Sequence, residues 1–94
     1  MRIANFRHKG LERFWQDDDV RGVPAQQVEK LRAMLTAIEE AQELGEVSRY
    51  SGWRLHPLKG DRKGSWSMTV TRNYRLTFKL RGKVIEDVDL EDYH

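Results

Sequence analysis

Apolar residues recur at helical spacing in the first half of the chain and at strand spacing in the second. A short opening strand is expected over Ile3 to Phe6. Leu11, Phe14 and Trp15 stand at helical intervals among polar residues, which predicts a helix from residue 8 to about 16. Asp17, Asp18 and Asp19 break that pattern, and Gly22 marks the loop that follows. Pro24 suits the first position of a second helix, because it has no amide hydrogen to leave unpaired there. Val28, Leu31, Leu35 and Ile38 form one apolar stripe with Met34 beside it, while Glu29, Lys30, Arg32, Glu39 and Glu40 lie off it. The stripe reads as core or partner interface, and Gly45 as the helix stop.

After Gly45 the period changes from 3.6 to 2. Trp53 and Leu55 alternate with Arg54 and His56; Trp66, Met68 and Val70 alternate with Ser65, Ser67, Thr69 and Thr71. Tyr74, Leu76, Phe78 and Leu80 alternate with Asn73, Arg75, Thr77, Lys79 and Arg81. Each run predicts a strand with one apolar and one polar face. Arg72-Asn73 fits a tight turn, since Asn tolerates positive φ, and Gly82 fits a second one. Val84 to Leu90 is the last predicted strand, its apolar face made by Val84, Val88 and Leu90. Helices followed by antiparallel strands give an α+β fold, with both helices on one face of the sheet. The opposite face would then present Arg75, Lys79 and Arg81 at fixed spacing on a rigid support.

At 94 residues the chain is expected to be one domain, residues 1–94. It has no Cys, which excludes disulfides, thiolate metal sites and Cys nucleophiles and is compatible with a reducing cytosol. No apolar run approaches the roughly 20 residues that span a bilayer, and MRIANFRHKG has no signal-peptide core. The net charge of +2 conceals a strong asymmetry: residues 1–48 are net −2, residues 49–85 net +9 and residues 86–94 net −5. A block that basic is a candidate surface for a polyanion, although a solvated face is the plainer reading.

Three segments have chemical potential. WRLHPLKGDRKGSWS (53–67) offers His56 and a Gly-rich basic loop whose amides and ammonium groups could approach phosphate. Its spacing does not match a P-loop, and a solvent-facing connection is the alternative. Arg75 within NYRLTF has the planar guanidinium that grips phosphate with two parallel hydrogen bonds; the alternative is a surface ion pair with Glu86 or Asp87. DLEDYH (89–94) places a carboxylate, a phenol and an imidazole together, where composition alone suggests a frayed end. His8, His56 and His94 are too dispersed for zinc, and no metal or other cofactor is implied. Cutting RNA without a metal needs a general base, fixed cations and a general acid, and His serves as base or acid near neutral pH.

FRHKGLERF (6–14), WRLHPLKGDRKGSWS, NYRLTF and DLEDYH resemble the HigB family of bacterial toxins, within the wider RelE-like group. The resemblance implies two N-terminal helices packed on a twisted antiparallel sheet, with the active site on its concave face. It further implies a ribosome-dependent endoribonuclease that cuts messenger RNA in the ribosomal A site and is neutralised by a helix-turn-helix antitoxin, HigA. The family's functional positions fall on His56, Lys59, Arg75, Asp92, Tyr93 and His94. In that setting Arg75 and Lys59 would stabilise the charge on phosphorus, with His94 or Asp92 as base and His56 as acid or phosphate ligand. Tyr93 would stack on or bond to the nucleotide. Arg54, Arg62, Lys63, Arg72 and Lys79 are the further cations expected to contact RNA or the ribosome. A non-catalytic RNA- or DNA-binding module is the main alternative, disfavoured by the lack of exposed aromatics on the polar face. A protein-interaction module using the acidic helical half is another.

Overall fold

The computed structural model describes residues 1–92, so Tyr93 and His94 lie outside the described residues. Helices α1 (Lys9–Asp17), α2 (Val28–Glu40) and α3 (Leu44–Val47) precede most of the sheet. The strands are β1 (Arg2–Ile3), β2 (His56–Pro57), β3 (Ser65–Thr69), β4 (Tyr74–Arg81) and β5 (Val84–Asp92). They form one sheet in the order β1-β5-β4-β3-β2. The α+β class follows. The sheet is mixed rather than antiparallel, because β1 runs parallel to β5, pairing Arg2 with Val84 and Ile3 with Ile85. The expected strand over Ile3 to Phe6 is reduced to those two residues and a separate bridge from Phe6 to Val88.

Helix α1 starts at His8, whose Nδ1 accepts the Leu11 amide at 2.9 Å, and ends at Asp18, whose left-handed φ of 57° stops it. In α2 most of the expected stripe is realised: Leu31, Leu35 and Ile38 are fully buried, as is Met34 beside them, while Val28 is only partly buried. Each fully buried side chain contributes about 1.5–3 kcal/mol of hydrophobic stabilisation. Arg32 joins the two helices, lying 4.9 Å over the Phe14 ring while its Nη2 sits 2.9 Å from the Asp18 carboxylate. Pro24 precedes a 3₁₀ turn, Ala25–Gln27, that leads into α2. The helix stops at Ala41, not Gly45, which lies inside α3. There the Met1 ammonium donates to the carbonyls of Ile38, Glu39 and Ala41, and a cation at this end complements the helix dipole.

The buried residues of α1 and α2 form one cluster with Met68, Leu76, Phe78, Ile85, Val88 and Leu90 of the sheet. In β5 the buried set is Ile85, Val88 and Leu90, with Val84 only half-buried, which corrects the expected alternation. Asp87 has a φ of 53°, and the β4–β5 register shifts between Thr77 and Lys79. This bulge adds one residue, so two core positions three apart share a face. Asn5 fastens it, donating to the Asp87 carboxylate at 3.0 Å and accepting the Asp87 amide at 3.0 Å.

The expected strand from Trp53 is mostly absent. Ser51–Trp53 form a 3₁₀ turn, Arg54 is left-handed with a φ of 52°, and pairing begins only at His56. Trp53 stacks on Tyr50 with centroids 4.1 Å apart, and Trp53 and Leu55 pack against the core from this turn. Their alternation therefore reflects two anchors on a loop. The Arg72-Asn73 turn is present, closed by Thr71 and Tyr74, with no positive φ at Asn73. Gly82 makes the second turn at a φ of 61°.

Gly10 of α1 lies against Gly22, where an added Cβ would stand 2.2 Å from the Gly22 carbonyl oxygen. Backbone cannot yield there as a side chain can. Gly10→Ala is expected to destabilise by about 1–3 kcal/mol, and each kcal/mol lowers Tm by about 4–8 °C in a domain of this size. Thermal unfolding followed by circular dichroism checks it; an unchanged Tm would mean the two segments separate freely.

Candidate active site

The sheet face opposite the apolar core is built row by row by strand register. His56, Ser67, Thr77 and Asp89 stand opposite one another across β2, β3, β4 and β5. Thr69, Arg75 and Glu91 form the next row. The expected polar face exists, but its small hydroxyl residues are not solvated: Ser67 is 3% and Thr77 5% exposed. They line a cleft of about 430 Å³. Its walls hold Arg54, His56, Arg62, Arg72 and Arg75, five groups that a phosphodiester chain could meet at once.

Three of these groups, Arg75, Arg62 and His56, are each held in a different way. Arg75 Nη1 donates to the carbonyls of Thr71, Arg72 and Tyr74 at 2.9, 3.1 and 3.2 Å, so the β3–β4 turn braces it. The ion pair with Glu86 or Asp87 does not occur. Glu86 pairs with Arg81 at 3.4 Å, and Asp87 lies 3.7 Å from Lys79 and 4.0 Å from Arg7. Arg62 reaches from a 3₁₀ turn, Gly60–Arg62, to grip the Glu91 carboxylate with two nitrogens. His56 Nδ1 lies 2.7 Å from the Arg54 carbonyl oxygen. That oxygen only accepts, so a hydrogen bond between the two has to be donated by Nδ1.

Glu91 is a cleft residue that the motifs did not single out. It lies within DLEDYH, and alternation from buried Leu90 would have put it on the polar face. Its carboxylate also accepts the Thr77 hydroxyl. The Arg62 guanidinium, chiefly, holds Glu91 below the usual carboxylate range, with help from Thr77 and against partial burial. Among the described residues, the cleft lining therefore holds the Glu91 carboxylate in place beside its cations.

The structure does not bring every expected residue into this cleft. Lys59 and Lys63 flank the 3₁₀ turn, exposed, and neither is in its lining. Lys79 lines a smaller neighbouring cleft of about 170 Å³, which shares Arg62 and Thr77 with the first. Asp92 is exposed at the end of β5, opposite Tyr74. Tyr93 and His94, two of the six carried-over positions, lie outside the described residues. Among the described residues no group of three or more His, Asp or Glu side chains could hold a metal ion. No described helix is long and apolar enough to cross a membrane.

Residues 4–94 match a family model described as the RelE-like toxin of the type II toxin–antitoxin system HigB. A curated relative, Endoribonuclease HigB of Proteus vulgaris, is 45% identical over 98% of this chain and 99% of its own length. Among solved structures, the YoeB/ParE toxin from Agrobacterium tumefaciens is similar in fold, with a TM-score of 0.60 at 22% identity over 100% of both chains. So is a chain of the DinJ-YafQ toxin-antitoxin complex of E. coli, with a TM-score of 0.51 at 15% identity over 97% of this chain and 88% of that one.

The pairing of Glu91 sets a pH dependence. A carboxyl held low in the folded state adds stability above its unfolded value, near 4.5, and loses it as pH falls through the folded value. Glu91→Gln should therefore be less stable than the parent at neutral pH, with a gap that narrows below about pH 4.5. Denaturant titrations from pH 7 to pH 3 check this; a constant gap would mean the carboxylate's charge is immaterial.

Proposed function

The chain belongs to the RelE-like HigB toxins of type II toxin–antitoxin systems, and on that premise we propose that it is a ribosome-dependent endoribonuclease cutting messenger RNA in the A site. The observation that supports the reading most is the gathering of His56 and Arg75 with Arg54, Arg62 and Arg72 around one cleft. The Proteus vulgaris relative's name, Endoribonuclease HigB, supports the same activity. The whole chain, residues 1–94, acts as one toxin domain in the cytoplasm, its two longer helices backing the sheet.

The reaction is metal-independent. The 2′-hydroxyl loses its proton to His94 or Asp92 and bonds to the adjacent phosphorus, while the bond from phosphorus to the 5′-oxygen breaks. His56 protonates the departing oxygen or binds the phosphate. Arg75 and Lys59 stabilise the charge that builds on phosphorus, and fixed cations act there without reorganising. Tyr93 stacks on the nucleotide. Arg54, Arg62, Lys63, Arg72 and Lys79 hold RNA and the ribosome through phosphates. A HigA-like helix-turn-helix antitoxin neutralises the toxin, and operator DNA is reached only through that complex. The fold shared with a chain of the DinJ-YafQ complex supports an antitoxin partner.

A domain this small has little with which to align RNA for in-line attack. The ribosome supplies that alignment, which is worth a large share of a rate enhancement. The purified protein is expected to cut programmed messenger RNA on ribosomes and leave the same RNA nearly intact without them. Equal rates would refute ribosome dependence, and binding without any cleavage would favour the non-catalytic module. Arg75→Ala is expected to lower cleavage about 10²–10³-fold, as loss of a fixed transition-state donor does. Because it also releases three turn carbonyls, Tm should fall by about 4–8 °C, the equivalent of about 1 kcal/mol. Loss of cleavage solely through unfolding would make Arg75 a structural brace.

A further inference from the structure

Arg54 has a backbone conformation that its side chain does not favour. With φ 52° and ψ 48° it is left-handed, which non-glycine residues adopt uncommonly and at a cost. Both sides of it are anchored. Trp53 is stacked on Tyr50, Leu55 packs against the core, and His56 pairs with Ser67 of β3. The conformation at residue 54 therefore decides where its carbonyl points, and that carbonyl lies 2.7 Å from His56 Nδ1.

We propose that Arg54 is a positioning residue for His56, acting through its left-handed backbone rather than its charge. The Arg54 carbonyl accepts from Nδ1–H, fixes the ring orientation and leaves Nε2 as the nitrogen offered to the substrate. An imidazole free to rotate would present either nitrogen and would lose alignment with the phosphate. The inference rests on His56 acting on RNA, as proposed above, and adds what aims it.

Two measurements on the full chain test this. Long-range ¹H–¹⁵N correlation of the His56 ring in the free protein, at a pH where the ring is neutral, reports the tautomer; the Nδ1–H form is expected, and the Nε2–H form would overturn the proposal. This measurement needs no variant. The second compares Arg54→Gly, Arg54→Asn and Arg54→Val in cleavage on ribosomes. All three lack the guanidinium, so the rise in KM common to them measures its contact with RNA. Gly and Asn accept the left-handed region, whereas a β-branched residue does not. Arg54→Val is expected to show kcat at least about tenfold below the other two at similar KM, and a mixture of His56 tautomers. Equal kcat in all three, while His56→Ala still abolishes cleavage, would overturn this inference alone. Unchanged kcat in His56→Ala would overturn the proposed role of His56, and this inference with it.

Discussion

Successive side chains of β4 enter two environments with opposite demands. Leu76 and Phe78 are withdrawn from water into the core, while Arg75 and Thr77 face the cleft. The period of two along a strand makes both possible with no residue to spare, and a one-residue slip would put Arg75 in the core and Leu76 in the cleft. The rest of the molecule secures that register. The α2 stripe shares one buried cluster with the apolar side of the sheet, the Asp87 bulge re-phases β5, and the two-residue Arg72-Asn73 turn sets how β3 meets β4. The position of Arg75 in the cleft is thus a consequence of core packing.

Arginines clustered on one small face repel one another, and two of them are braced against that. Arg75 is held by carbonyls of its own turn, and Arg62 by the Glu91 carboxylate, itself fixed by Thr77. These contacts keep the guanidiniums aimed at the cleft before any RNA arrives, which lowers the ordering cost of binding. A phosphate entering near Arg62 would compete with the Glu91 carboxylate already seated there.

Much of this architecture was readable from residue spacing, because its helices and β3–β5 are strongly periodic. The α2 stripe, the β3–β4 turn and the polar face with Arg75 follow from it. The features that escaped depend on contacts distant in sequence or on backbone strain. The parallel pairing of β1 with β5 joins residues about 80 positions apart in the chain, and no local pattern announces it. α2 ends at Ala41, where the Met1 ammonium meets the last carbonyls, and not at a glycine. Arg54 and Asp87 adopt left-handed conformations without the Gly or Asn that usually signals them. In the site, His56 and Arg75 were legible because their chemistry is distinctive, whereas Glu91 was hidden among the acidic residues of the last strand. The Asp-Tyr-His segment was distinctive in its chemistry, but its role is what the family resemblance implied, and its last two residues lie outside the described structure.

The central claim is that the basic cleft cuts messenger RNA while the ribosome is reading it. Primer-extension mapping of messenger RNA 5′ ends after controlled expression tests it most directly, with Arg75→Ala as the matched control. New ends should appear within translated regions, in fixed register with the codons, and should be absent in the control. Growth arrest with no new ends, or ends scattered without regard to reading frame, would contradict the account.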